Sequence, residues 1–292
     1  MANAAVVFVL LILQGVWASA HAGVGRKTHV DAEMLKQEAI YRTHGDKVPG
    51  GYVTDRSLHA YADTLSFDFG DALARLGQND RWLDIGAGRA QAILDYYAAG
   101  QEVVQLKRRE LRGPRARAVA ISLEDRRTPQ WHETANRLGP KQIQYLHDKP
   151  LESYSTGQLG RFQVITDLLG GFSYTDDLSV FMEKVLAFLD VKGTFYTLLQ
   201  DVKAEAGSNR PYYENSSFTT VLTRADGTEM KVCTWLKSIS CVEVSCELRT
   251  EWKPPIEVYR IHKSCNKTEV PALTRSLYKA GTPPDRRFVF RD

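Results

Sequence analysis

No cysteine precedes Cys233 in this 292-residue chain. The four present, Cys233, Cys241, Cys246 and Cys265, include no C-x-x-C pair, which argues against a structural zinc site. Being even in number, they admit up to two disulfides in three alternative pairings. The competing reading is four small buried apolar side chains. Net charge is also scarce, at +3, too little to imply a polyanionic partner. No internal repeat or low-complexity tract is present, so solenoid and fibrous classes are set aside. The composition, 43% hydrophobic and 25% charged, is that of an ordinary globular protein.

Charge is missing altogether from Met1 to Ala22, where Ala4 to Leu13 is an unbroken apolar run. Ala18-Ser19-Ala20 and Ala20-His21-Ala22 both fit a small-residue cleavage signal, so residues 1–22 read as a secretory signal peptide. No Lys or Arg follows Met1, and an uncleaved anchor is the second reading, though the apolar core is shorter than the roughly 20 residues a span needs. The third is a misassigned start and a cytoplasmic chain. An exported chain is the first expectation, and contact with a membrane is expected only if the leader stays on.

The chain is organised around residues 81–95. A short apolar strand, Trp82 to Ile85, carries Asp84, turns through Gly86-Ala87-Gly88 and continues as a helix from Ala90. A strand that ends in Gly-x-Gly and restarts as a helix is how a doubly wound α/β sheet presents its ligand crevice. A dinucleotide site wants a third small residue, and that place holds Gln91. Asp84 would repel a pyrophosphate and suits a ligand bearing an ammonium and a sulfonium. Both residues argue against a nicotinamide-dependent enzyme.

Before this stretch, residues 57–76 show helical spacing of Leu58, Tyr61, Leu65, Phe67, Phe69, Leu73 and Leu76. A further short helix is expected over 31–42. After it, Lys107, Arg108, Arg109, Arg112, Arg115 and Arg117 make a basic connection. No aromatic residue is interleaved and Glu110 breaks the run, which favours a solvated loop over a nucleic-acid patch. Strands are expected at 118–124, 141–146, 162–167 and 194–199, with helices at 131–138 and 177–189 between them. Beyond residue 200, Arg224-Ala225-Asp226-Gly227 signals a hairpin. Further strands are expected at 241–247, 256–262 and 288–290, and helices near 234–239 and 270–279.

The segment Leu83-Asp84-Ile85-Gly86-Ala87-Gly88 resembles the first motif of class I S-adenosylmethionine-dependent methyltransferases. The run strand–Asp167–Gly170-Gly171-x-x-Tyr174–helix–Lys192-Gly193–strand resembles the family's fourth and fifth strands, so the likeness spans 81–200. It implies a doubly wound, mostly parallel seven-stranded Rossmann-like sheet, S-adenosylmethionine as cofactor, N-terminal helices over it and a final antiparallel pair, for which 256–262 and 288–290 are suited. On this reading 23–77 is an N-terminal helical segment, 78–203 the core, and 204–292 a β-rich insertion followed by the last strands.

The resemblance also implies roles. Asp84, Gly86, Ala87 and Gly88 would line the cofactor. An acid closing the second strand would take the ribose hydroxyls; that position falls on Ser122, so either the strand runs two residues longer and Glu124 serves, against a surface loop acid, or the ribose is held differently. Asp148, with His147 beside it, would meet the adenine. His147 is also a candidate base, against a structural role. Asp167 would contact cofactor or substrate or act as base, against capping the loop that follows it. Tyr174 would face the methyl group, against packing. Tyr41, Tyr52 or Tyr61 would cover the cofactor, against packing, which is the expected role of each taken alone. The Asn/Asp-Pro-Pro-Tyr/Phe signature is absent, which argues against methylation of a nucleic-acid base. The expectation is a methyltransferase acting on a small molecule or a protein side chain. The alternative is an exported, catalytically inactive binding module, since the cofactor is made in the cytosol.

Overall fold

The computed structural model describes residues 56–98, 104–106, 109–111, 116–175, 177–200, 220–252, 255–275 and 288–290. The expected helix at 31–42, with Tyr41 and Tyr52, lies outside them. Strands in chain order are β1 (Arg81–Ile85), β2 (Val104–Leu106), β3 (Arg109–Leu111), β4 (Arg117–Ile121), β5 (Ile143–Leu146), β6 (Phe162–Asp167), β7 (Leu189–Gln200), β8 (Val221–Arg224), β9 (Glu229–Lys231), β10 (Val242–Arg249), β11 (Ile256–Lys263), β12 (Leu273–Arg275) and β13 (Phe288–Phe290).

Seven of them form one sheet in the order β10-β11-β7-β6-β1-β4-β5. β5, β4, β1, β6 and β7 pair in parallel, and β11 runs antiparallel between β7 and β10. This is the doubly wound, Rossmann-like methyltransferase fold that the resemblance implies. Side chains alternate across each strand, and so do the two cores. Trp82, Ala118, Ala120, Val164 and Tyr196 meet helices Leu58–Thr64, Phe69–Arg75, Gln91–Ala98 and Pro129–Leu138 on one face. Leu83, Ile85, Ile121, Ile165 and Phe195 meet Leu178–Phe188 and Val232–Lys237 on the other. The parallel strands are buried on both faces, which is why they read as near-continuous apolar runs.

Several expectations need correction. The second strand stops at Ile121, so Glu124 stands in a bend beyond it. Residues 107–117 are not one loop, because β2 and β3 pair as a short hairpin within the basic connection. The partner of β11 at the sheet edge is β10, whereas Phe288–Phe290 joins a separate four-stranded sheet, β12-β13-β8-β9. Residues 273–275, expected as helix, are strand. Phe67, counted in the apolar face of the N-terminal helices, lies between two of them and is 80% exposed. The Asp226-Gly227 turn joins β8 and β9 as expected, with Gly227 at φ 84°.

The cysteines form two disulfides, Cys233–Cys246 and Cys241–Cys265. Both hold β10, the first to helix Val232–Lys237 and the second, at its entry, to the segment after β11.

Candidate functional site

In this sheet the chain leaves β1 toward β4 and β5, then returns to β6 on the other side of β1. Strand order reverses there, and ligands of open α/β sheets bind at that reversal, beyond the carboxyl ends of the strands. The glycine turn sits at this point. Gly86 and Gly88 have φ of 68° and 55°, and Ala90, which opens the helix, has φ 56°. These are left-handed conformations that glycine adopts without a Cβ penalty. A Cβ on Gly86 would stand 2.6 Å from the Gly170 Cα, and one on Gly170 would stand 2.7 Å from the Ile85 carbonyl oxygen. The two glycines therefore let the turns after β1 and β6 touch backbone to backbone. The Ala87 N–H donates to the Ile121 carbonyl at 3.0 Å, tying the turn to β4 as well.

Asp84 lies beneath this turn with no exposed surface. Its carboxylate accepts from the Tyr61 hydroxyl at 3.0 Å and from Thr166 Oγ1 at 2.7 Å. Trp82 Nε1 donates to the same Thr166 oxygen at 2.8 Å. Burial pushes the Asp84 carboxyl up to about 7; the bonds from Thr166 and Tyr61 pull it down, and the nearby Asp167 charge adds to the rise. Tyr61 is one of the three tyrosines proposed to cover the crevice, and it does cover Asp84. Burial, reinforced by Asp84, pushes its hydroxyl far up, so it stays a donor.

Asp167, at the end of β6, is equally buried. Its two oxygens accept from the backbone N–H groups of Gly170 at 2.8 Å and Phe172 at 2.9 Å. It thereby caps the short helix Gly171–Tyr174. Burial pushes it up to about 7 against those N–H bonds and the Arg56 charge. Tyr174 closes that helix, and its side chain lies outside what the structure describes.

The other expected residues gather at the ends of β4 and β5. Glu124 pairs with Arg126. Asp125 pairs with Arg127 at 2.7 Å, and that guanidinium holds it well below the usual carboxylate range. His147 Nδ1 meets Asp148 Oδ2 at 2.7 Å, and its Nε2 lies 3.8 Å from Asp125 Oδ2. Asp148, at φ 65°, is 73% exposed. Tyr145 binds this rim to the glycine turn. Its hydroxyl donates to the Gly88 carbonyl at 2.5 Å, lies 3.2 Å from that of Glu124 and accepts from the Arg126 N–H. The structure thus brings Gly86, Ala87, Gly88, Glu124, His147 and Asp148 to one rim, with Asp84 and Asp167 buried below.

Sequence reasoning missed Gly170, Thr166, Tyr145 and Arg56. Arg56 stands just before the N-cap of helix Leu58–Thr64, and its charge acts on both buried carboxyls. The Gly170-Gly171 pair was a visible signal; Thr166 and Tyr145 depend on pairings across the sheet, and Arg56 on where its helix packs.

No protein-family model matches the chain, and neither does any curated protein. Among solved structures it is similar to 1,6-didemethyltoxoflavin-N1-methyltransferase of Burkholderia thailandensis, a complex with 1,6-didemethyltoxoflavin and S-adenosylhomocysteine. Identity there is 17% and the TM-score 0.46, over 85% of this chain and 90% of that one. An N-methyltransferase of Bradyrhizobium japonicum is 13% identical with a TM-score of 0.40, over 66% and 90%. A Bordetella parapertussis protein described as a possible exported protein is 12% identical with a TM-score of 0.43, over 68% and 67%. At such scores these likenesses add nothing to what the strand order already establishes.

Proposed function

We propose that the chain is an S-adenosylmethionine-dependent methyltransferase acting on a small molecule or a protein side chain. The observation that carries this reading is the Gly86-Ala87-Gly88 turn, with Gly86 and Gly88 left-handed, at the strand-order reversal and above the buried Asp84. A carboxylate at Asp84 disfavours a pyrophosphate and suits a ligand bearing ammonium and sulfonium charges. The cofactor, when bound, supplies a methyl already activated by positive sulfur. The glycine turn would offer it backbone, and Asp148 with His147 would meet the adenine. Asp84, fixed by Tyr61 and Thr166, would set the charge beneath the turn. The chain's task is then alignment and exclusion of water rather than bond polarisation.

A second reading, an exported binding module without turnover, is favoured by one observation. Both oxygens of Asp167 already hold backbone N–H groups, so its geometry is that of a cap. Two disulfides fit an extracellular location, and among the described residues no helix is long and apolar enough to cross a membrane. Calorimetric titration of the chain from Gly23 onward with S-adenosylmethionine, with nicotinamide dinucleotide as control, tests both readings. Micromolar binding of the first alone supports a live crevice. Binding without methyl transfer to any acceptor supports the module, and failure to bind either ligand overturns the methyltransferase reading.

A further inference from the structure

Helix Leu58–Thr64, which brings Tyr61 onto Asp84, has seven residues. Isolated helices below about 12–15 residues are marginal in water, so this one depends on what holds it. The Ser57 cap and the buried Leu58, Tyr61 and Ala62 hold it, and three further polar contacts tie it to the rest of the fold. Its first amide, Leu58 N–H, donates to Asp95 Oδ2 at 2.9 Å. Tyr61 binds Asp84 at its centre. At its end, one guanidinium collects the carbonyls that a helix terminus leaves without partners.

That guanidinium is Arg249, a buried residue on β10. Its Nη1 donates to the carbonyls of Asp63 and Thr64, both at 2.9 Å, and its Nη2 to that of Leu65 at 3.0 Å. Glu247 holds the remaining side of the fork at 3.0 and 3.1 Å. A cation at a helix C-terminus also meets the favourable end of the dipole.

β10 itself is an edge strand, paired only with β11 in the described sheet. Its ladder with β11 runs from Val242 to Arg249, while most of its side chains are exposed or half-buried, so apolar burial adds only a modest share to what that ladder supplies. The Cys233–Cys246 disulfide adds a covalent tie to helix Val232–Lys237, three residues from Arg249 and on the same strand. That is about 10 Å along a strand, against about 26 Å from Cys241.

We infer that Arg249 is a positioning residue for the crevice, and that the Cys233–Cys246 disulfide, by fixing Arg249, couples thiol redox state to closure of helix Leu58–Thr64 over Asp84. Reduction breaks the S–S bond. Two electrons and two protons pass from a dithiol reductant to the sulfurs, giving two thiols and leaving the reductant as a disulfide. β10 then loosens, the helix loses its terminal clamp, and Tyr61 parts from Asp84. By linkage, a ligand that needs the closed helix in turn stabilises the disulfide.

The ligand arm of the test rests on the proposed function; the hydrogen-exchange arm does not. Amide exchange of the peptide covering 57–66 is measured in the full chain for parent, Arg249→Met, Arg249→Lys, Cys233→Ser/Cys246→Ser and Cys241→Ser/Cys265→Ser. Faster exchange at 57–66 is expected for Arg249→Met and for the first double variant, with β1 and β6 peptides unchanged. Partial recovery is expected in Arg249→Lys, and a smaller effect in the second double variant. Affinity for S-adenosylmethionine should fall about tenfold in the same two variants, within the usual range of coupling between sites, and combining them should cost no more than either alone. Unchanged exchange at 57–66 on loss of Cys233–Cys246, or losses that add in the combined variant, overturns the coupling. If exchange responds as expected while the parent binds no S-adenosylmethionine, the coupling stands and the methyltransferase reading fails.

Discussion

Two buried carboxyls give the molecule a definite pH response. Asp84 and Asp167 both sit at about 7 in the fold, above their unfolded range. A group raised in this way stabilises the fold fully below its unfolded pKa, near 4, and that contribution is lost as pH rises through its folded value. The melting temperature should therefore fall between pH 5 and pH 8, and Asp84→Asn should flatten that fall, as scanning calorimetry across the range would reveal. Gly86→Val is a second residue-level case. The sequence alone suggests that it fills the crevice and spares folding. In the structure its Cβ meets the Gly170 backbone at φ 68°, so it should destabilise by about 1–3 kcal/mol from overpacking, with more from backbone strain. A chemical denaturation midpoint indistinguishable from the parent would refute this. Asp167→Ala leaves two buried N–H groups without acceptors, at about 1–3 kcal/mol each. It should depress ligand binding and any turnover alike; loss of turnover alone would restore it as a base. Asp167 was legible as a site residue from its place after a strand, but the engagement of its oxygens was not, because the Gly170 and Phe172 amides swing toward it only once the turn folds.

At the scale of elements, the buried parallel strands were legible because each is a short apolar run closed by a turn former. β10 was readable as a strand yet not as part of the main sheet. An edge strand alternates like any hairpin strand, and its partner is a fact about the fold rather than the segment. The same reason put β13 in the wrong sheet. The β2–β3 hairpin was missed because its strands are only three residues long and β3, Arg109-Glu110-Leu111, lies in the basic run, where charge was read as solvation. Tyr61 was one candidate among three, and only the fold singles it out. Arg249 carried no local signal, since its partners are carbonyls nearly two hundred residues away. Tyr61→Phe should cost about 1–3 kcal/mol by withdrawing a donor from buried Asp84, and should raise the Asp84 carboxyl further. Equilibrium unfolding of the variant at pH 5 and pH 8 checks this, with the larger loss expected at pH 8, where the carboxylate is charged. Peptide mapping without reduction should recover the pairs 233–246 and 241–265 from the oxidised protein; any other pairing would displace β10 as the doubly stapled strand.

For the whole molecule, an apolar N-terminal run, two disulfides and a methyltransferase fold sit together in one chain. Intact-mass measurement of the product from an exporting host should give an N-terminus between residues 21 and 23 if the leader is cleaved at either small-residue signal. The clamp on helix Leu58–Thr64 has one more consequence, and it concerns time. Arg249 reaches carbonyls 184 to 186 positions earlier in the chain, and β11, which carries the edge strand, follows it. A chain made from its N-terminus has the glycine turn and β6 in hand long before the residue that shuts the crevice exists, and contacts so distant in sequence form slowly. A protein that crosses a membrane as it is being made would arrive on the far side with its crevice still open. Whatever ligand it finally encloses would then be taken up where the disulfides form, not carried out from where synthesis began.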